Sequence, residues 1–343
     1  MTSVAYSSPM IPPEWIAAHG HQARWLRPRG SAPSSEATAR RGVCPYAGAV
    51  VDAVACDAPW VAVVLATTCD QMRYAASVAE HRGRLPVFLM NVPSTWQTAA
   101  ARSLYREELG RLGRFLQRLG GKPPALEELA EVMSRFDLAR TRVRQARGDL
   151  SARQMAETLV AVREGGNLKL RDQNFEGTCI AGRSGGLPLA LVGGPLVPED
   201  YDLLDWIEGA GGRIVLDASE WGERTLPRAF DSERTLSRPL EELADAYFGG
   251  IPDVFRRPND PFYEYLAHEL AVRQVRGVIF RRYVWCDLWH AELPRLKAVR
   301  RVPVLELDVA QSEPSAEGRT LGRVEAFLEM LRAAEGMNTE CGM

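Results

Sequence analysis

The chain has 343 residues, long for one α/β domain and comfortable for two. Hydrophobic residues at 46% and charged residues at 25% are ordinary globular usage, which excludes a largely disordered or fibrous protein. A formal charge of −2 gives no global basic field to draw the chain to nucleic acid or anionic membrane. The basic residues are nearly all arginine, lysine occurring only as Lys122, Lys169 and Lys297, a bias that a GC-rich genome produces.

Pro12 and Pro13 open a short amphipathic segment over residues 11–20, as at a helix start. A polar Ser/Pro/Ala loop over 27–41 precedes a helix-like stretch over 45–56. Residues 60–68 (WVAVVLATT) are continuously apolar and β-branched, as expected of a strand buried on both faces of a parallel sheet. A helix over 70–81 and a strand over 85–91 complete a βαβ unit. Residues 97–166 are helical in pattern, with Leu104, Leu109, Leu112, Phe115 and Leu116 at three- and four-residue steps. The arginines between them read as a solvated face paired with glutamates rather than a nucleic-acid surface. Strands are predicted over 187–192, 213–217, Gly277–Tyr283 and 302–307, and helices over 199–208 (stopped by Gly209), 262–273, 287–299 and 320–334. The fold class is therefore α/β, with two Rossmann-like (flavodoxin-like) domains of parallel sheet, residues 1–176 and 177–343, the first carrying the helical segment.

Six cysteines are too sparse for a disulfide scaffold. The N-terminus shows no charged stretch followed by an apolar one, and no apolar run reaches bilayer-spanning length. A reducing cytoplasm follows as the expected compartment. Cys69 and Cys286 each end a predicted strand and stand directly before a helix, and Cys44 precedes a helix that begins with Pro45. Ligands of open parallel sheets gather at the carboxyl ends of strands, where helix N-termini present free N–H groups that favour a thiolate. Thiolates hold iron, and three of them would leave one iron of a four-iron cluster with an open position. Buried, inert cysteines explain the same spacing, and on spacing alone they outweigh a cluster because no CxxC pair is present. Cys56 reads as helix core, Cys179 lies in a glycine-rich hinge, and Cys341 falls where a chain end frays. Gly193-Gly194-Pro195 reads as a close turn after a strand, since it fits neither nucleotide-binding glycine pattern. No histidine pair has helical i, i+4 metal spacing, and His21 is a candidate proton donor or a structural histidine.

Taken in order, several segments resemble the 2-hydroxyacyl-CoA dehydratase/benzoyl-CoA reductase family. Residues 13–20 (PEWIAAHG) match its P-E-x-x-x-A-x-G opening, Cys44-Pro45-Tyr46 follows, and Ala66-Thr67-Thr68-Cys69-Asp70 carries its T-T-C-D signature. Residues 211–217 (GGRIVLD) resemble its G-G-x-V-V-x-D strand, and residues 277–280, Cys286-Asp287, 292–297 and 302–305 complete the series. The likeness covers most of the chain outside the central helices. One departure is that residues 219–224 (SEWGER) carry no cysteine where many members show one ahead of G-x-R.

The resemblance implies that Cys44, Cys69 and Cys286 carry a [4Fe–4S] cluster with an open iron between the two domains, and it reverses the balance in the cluster's favour. It also implies an acyl-CoA substrate, a homologous second subunit or a second copy of the chain, and an ATP-dependent iron–sulfur activator that supplies single low-potential electrons. Chemically, one electron on a thioester carbonyl gives a ketyl radical anion able to expel an α-hydroxyl, after which the β-proton becomes removable. The same electron can alternatively enter an aromatic ring. Glu14 and His21, in the family-like opening, are the candidates for the substrate side. Two other readings stay open. One is a homodimeric double-cubane-type reductase of small molecules, with Cys56 or Cys179 as further candidate ligands. The other is a non-redox α/β ligand-binding or accessory subunit whose cysteines are merely buried.

Overall fold

Two parallel sheets of identical strand order organise the molecule. A computed structural model describes residues 1–29, 42–55, 59–165, 185–299, 302–310 and 314–340. In the first half, β1 (Ser3–Tyr6), β2 (Gln22–Trp25), β3 (Ala62–Ala66) and β4 (Val87–Met90) lie in the order β2-β1-β3-β4. In the second, β5 (Leu187–Gly193), β6 (Gly212–Ser219), β7 (Gly277–Tyr283) and β8 (Val304–Val309) repeat it as β6-β5-β7-β8. Every pairing is parallel, with Val4 opposite Ala62 in the first sheet and Leu189 opposite Gly277 in the second. All five residues of β3 are buried, as its unbroken apolar run requires in a doubly covered sheet. The expected α/β class with two flavodoxin-like domains is what forms; the boundary at 176/177 lies outside the described residues.

The helices of the first half are α1 (Pro13–Ala18), α2 (Pro45–Ala55) and α3 (Asp70–Arg82), the last ended by Gly83 in the left-handed region. The helical segment comprises α4 (Ala99–Arg118), α5 (Leu126–Ala146) and α6 (Ala152–Arg163). Thr98 caps α4 through the Ala101 N–H, and Ser151 with Gln154 forms a capping box on α6. Arg111 is solvated and paired with Glu108 within α4 as expected, whereas Arg153 pairs with Asp202 and Asp205 of the second half. Arg140 and Arg163 depart from that reading: both are buried, and both reach into the second half.

The second half adds α7 (Tyr201–Gly209), α8 (Ser232–Ser237), α9 (Pro239–Ala244), a π-helical turn over Asp245–Gly249, α10 (Asp260–Val272), α11 (Asp287–His290), α12 (Leu293–Ala298) and α13 (Pro314–Glu340). Two local expectations change. Gly209 is inside α7, and Gly211, at φ +87°, takes the left-handed position beyond its end. The single helix expected over 287–299 breaks into α11 and α12, because Pro294 has no N–H to continue a helix but suits the first turn of a new one.

Candidate functional site

The order repeated in both sheets puts a topological switch beside the third strand of each half, between β1 and β3 and between β5 and β7. Open α/β sheets bind ligands at such points, outside the carboxyl ends of the strands. Cys69 follows β3 and Cys286 follows β7, so the two thiols occupy corresponding places. Cys69 is the extended residue (φ −152°, ψ 165°) that leads into α3. Cys286 leads into α11 after Trp285, whose backbone is left-handed at φ +65°. Cys44 precedes Pro45 at the start of α2, and Gln71 of α3 fixes its approach: Oε1 accepts the Cys44 N–H at 3.0 Å, and Nε2 donates to the Gly42 carbonyl at 3.1 Å.

All three thiols line one cavity of about 50 Å³. The loop after β1, from Ser8 to Met10, and Gly194-Pro195 after β5 form further walls, with Tyr46, Tyr283, Phe255 and Trp289 supplying apolar surface. Tyr46 stacks on Tyr283 at 6.2 Å between ring centroids. The thiols also border a wider, more open cleft of about 810 Å³ on the side of Thr68, Asn91 and Trp285. The structure thus brings Cys44, Cys69 and Cys286 together from both halves. Cys56, Cys179 and Cys341 lie outside the described residues.

Burial pushes the Cys69 and Cys286 thiols up to about 12 and raises Cys44 as well. The N–H groups of Ala47 and Tyr46 at Cys44, Met72 at Cys69 and Trp289 at Cys286 oppose this. Negative charge on Glu220 and on neighbouring thiols adds to the rise. Such a trio stays protonated at neutral pH until a cationic centre ionises it, which is how metals deprotonate coordinating thiols. Among the described residues no three His, Cys, Asp or Glu side chains meet at one metal ion. A single zinc needs its donors converging within about 2.3 Å of one point, whereas a cubane gives each thiolate its own iron. Three soft donors spread around one cavity suit the second kind of centre.

Glu14 and His21 do not line either cavity at the thiols. Glu14 is fully buried, ion-paired with Arg140 and bonded by the Tyr247 hydroxyl at 2.8 Å. His21 is buried with Nδ1 at 2.7 Å from Thr2 Oγ1 and Nε2 at 2.9 Å from the Leu116 carbonyl. Sequence reading missed Glu220 and Asp253, the carboxyls in the thiol cavity. The available signal for Glu220 was its place three residues past the strand predicted over 213–217; the observed β6 runs to Ser219 and brings it to the strand end. Asp253 also borders a separate cleft of about 600 Å³ that holds Arg144, Arg147, Arg224, Arg228, Arg256 and Arg273.

These features define a two-domain α/β protein with a cysteine-lined centre at the junction of its sheets. The chain belongs to the 2-hydroxyglutaryl-CoA dehydratase, D-component family, whose model matches residues 9–331. Membership makes it a relative of a component of a lyase-type dehydratase, a family whose description implies a companion component and a CoA substrate. No curated protein matches the chain. Among the described residues no helix is long and apolar enough to cross a membrane.

Proposed function

We propose that the chain is the iron–sulfur subunit of an ATP-activated radical 2-hydroxyacyl-CoA dehydratase, with Cys44, Cys69 and Cys286 as ligands of a [4Fe–4S] cluster. The carrying observation is the convergence of three thiols, one from each of three separate helix starts and drawn from both domains, on one apolar cavity. When bound, the cluster supplies single low-potential electrons to the CoA thioester. The chain's own residues do the rest. Helix-start N–H groups favour the thiolates over the thiols, Gln71 holds the Cys44 and Cys69 segments in register, and the Tyr46–Tyr283 stack with Trp289 forms an apolar wall on one side of the sulfurs. The open cleft over Thr68 and Trp285 gives a thioester a route to the centre. The arginine cleft beside Asp253 has the guanidinium chemistry to hold the phosphates of CoA.

In this reading the chain works in the reducing cytoplasm with a homologous second subunit and an ATP-hydrolysing iron–sulfur activator. The family's description favours dehydration over ring reduction. Anaerobic purification tests the proposal: about four irons per chain with broad absorption near 400 nm are expected. Cys69→Ser should abolish iron retention and Cys341→Ser should leave it unchanged. Colourless, iron-free protein that folds normally after strictly anaerobic preparation overturns it, and iron retained by both variants overturns the ligand assignment.

A further inference from the structure

Glu220 is placed like a ligand and has no other occupation. It follows β6 directly, and its backbone N–H is tied to the Gly193 and Gly194 carbonyls at the end of β5, at 3.1 and 3.4 Å. Glu220 lines the thiol cavity, and its charge is felt at Cys44, Cys69 and Cys286 alike. The other carboxyl there, Asp253, is engaged: it pairs with Arg224 at 2.8 Å and accepts the Phe255 N–H at 3.1 Å. Among the described residues no hydrogen bond or ion pair reaches the Glu220 carboxyl; burial and the neighbouring Asp253 charge push it up to about 8, and Arg224 and Arg163 oppose this only from a distance.

The repeated sheet order gives this placement a second meaning. In the first half, the connection after the second strand contributes Cys44 and the end of the third strand contributes Cys69. In the second half, the end of the third strand contributes Cys286, and the connection after the second strand contributes Glu220. Cys69 and Cys286 hold matching places after the third strands, while Cys44, next to α2, and Glu220, next to β6, come from opposite ends of the connections after the second strands.

Resting on the cluster reading above, we propose that the Glu220 carboxylate is the fourth protein ligand, closing on the iron that the three cysteines leave without a donor. A carboxylate is harder than a thiolate and suits iron–sulfur iron less well. It holds the position at rest and yields it more readily than sulfur does.

The test uses the full chain reconstituted anaerobically with iron and sulfide, as wild type, Glu220→Gln, Glu220→Ala and Glu220→Cys. After mild stoichiometric oxidation, wild type and Glu220→Cys are expected to keep about four irons. Glu220→Gln and Glu220→Ala should fall to about three and show the EPR signal of a three-iron cluster. A measurement on unaltered protein guards against misfolded variants: in oxygen-17-labelled water the reduced wild-type cluster should show no oxygen-17 coupling, while Glu220→Ala should show it. Oxygen-17 coupling in the wild type, or a Glu220→Gln cluster as stable as the wild type, overturns the proposal and leaves the cysteine assignment standing. Iron-free wild type overturns the cluster reading itself, and this assignment with it.

Discussion

Removing the Glu14 carboxylate should destabilise the fold more than most single changes, and the surroundings give the size. Glu14 on α1 faces Arg140 on α5 with both side chains almost wholly buried. The Tyr247 hydroxyl donates to Glu14 at 2.8 Å and accepts from Arg140 Nη2 at 2.9 Å. Without Glu14 the nearest acid to Arg140 is Asp137, at 4.0 Å, and Nη1 already has no hydrogen-bond partner. Breaking a buried pair by deleting one member costs roughly 3–5 kcal/mol. Two charges about 4 Å apart at an effective dielectric of about 20 attract by about 4 kcal/mol, which agrees. At about 2–4 °C per kcal/mol, Glu14→Gln should lower the melting temperature by roughly 6–20 °C. Near-UV circular dichroism of the metal-free protein reads this directly. The triple variant Glu14→Leu, Arg140→Met, Tyr247→Phe removes every polar member and should recover most of the loss. If Glu14→Gln melts within about 1 kcal/mol of wild type and loses only turnover, the structural reasoning is refuted and Glu14 belongs to the substrate side.

Three other changes probe different parts of the fold. His19 is buried with Nδ1 at 2.7 Å from the Trp15 carbonyl, and burial lowers its pKa below the ordinary histidine range. The unfolded chain therefore takes up this proton first, below about pH 6.5, so the contribution is present above that pH and lost as pH falls toward the folded value. His19→Gln should flatten the stability loss below about pH 6.5 in urea titrations, and unchanged slopes would show that His19 is not its source. Gly193 has φ +147°, and a Cβ there would collide with the Arg281 carbonyl on β7. Gly193→Ala should cost more than about 3 kcal/mol or give insoluble protein, whereas a soluble variant with a wild-type melt contradicts that close approach. Trp285 is 56% exposed at φ +65°, so Trp285→Asn should raise the unfolding free energy by about 0.5–1 kcal/mol, read as a higher urea midpoint. A lower midpoint would mean the ring packs more than its exposure indicates.

What could be read from the sequence depended on how locally each feature is encoded. Strands β3 and β5 were legible because a buried parallel strand writes itself as an unbroken apolar run. The other inner strand of the first sheet was not: β1 is four residues long, and its identity comes from pairing with β2 and β3, which lie elsewhere along the chain. The π-helical turn at 245–249 and the short helices before it were hidden in a proline-broken stretch for the same reason. At the site, the cysteines announced themselves by residue type and by position at strand ends. Glu220 did not, since a glutamate after a strand acquires significance only when three thiols from elsewhere face it. Glu14 was noticed for its segment, but its partner Arg140 is 126 positions away, beyond any local pattern.

Two buried arginines tie the halves of the chain together beside the cavity. Arg163 at the end of α6 donates to the Trp221 carbonyl at 2.6 Å and the Gly222 carbonyl at 3.1 Å, and lies 4.8 Å from the Trp25 ring centroid of β2. Trp221 in turn packs edge-on against both Trp25 and Tyr46. The residue that follows Glu220 is thereby clamped to the strand end of the first domain and to the helix that begins beside Cys44. Arg140 repeats the arrangement from α5, joining α1 of the first half to the π-helical turn of the second through Glu14 and Tyr247. Donors carried on separate domains can hold a multi-atom centre only if their spacing is set by packing that does not slip. Planar guanidinium groups with several directed bonds are better suited to that than apolar contact, which is non-directional. The arginine-rich helical segment is therefore part of the site's construction, although none of its residues lines the thiol cavity.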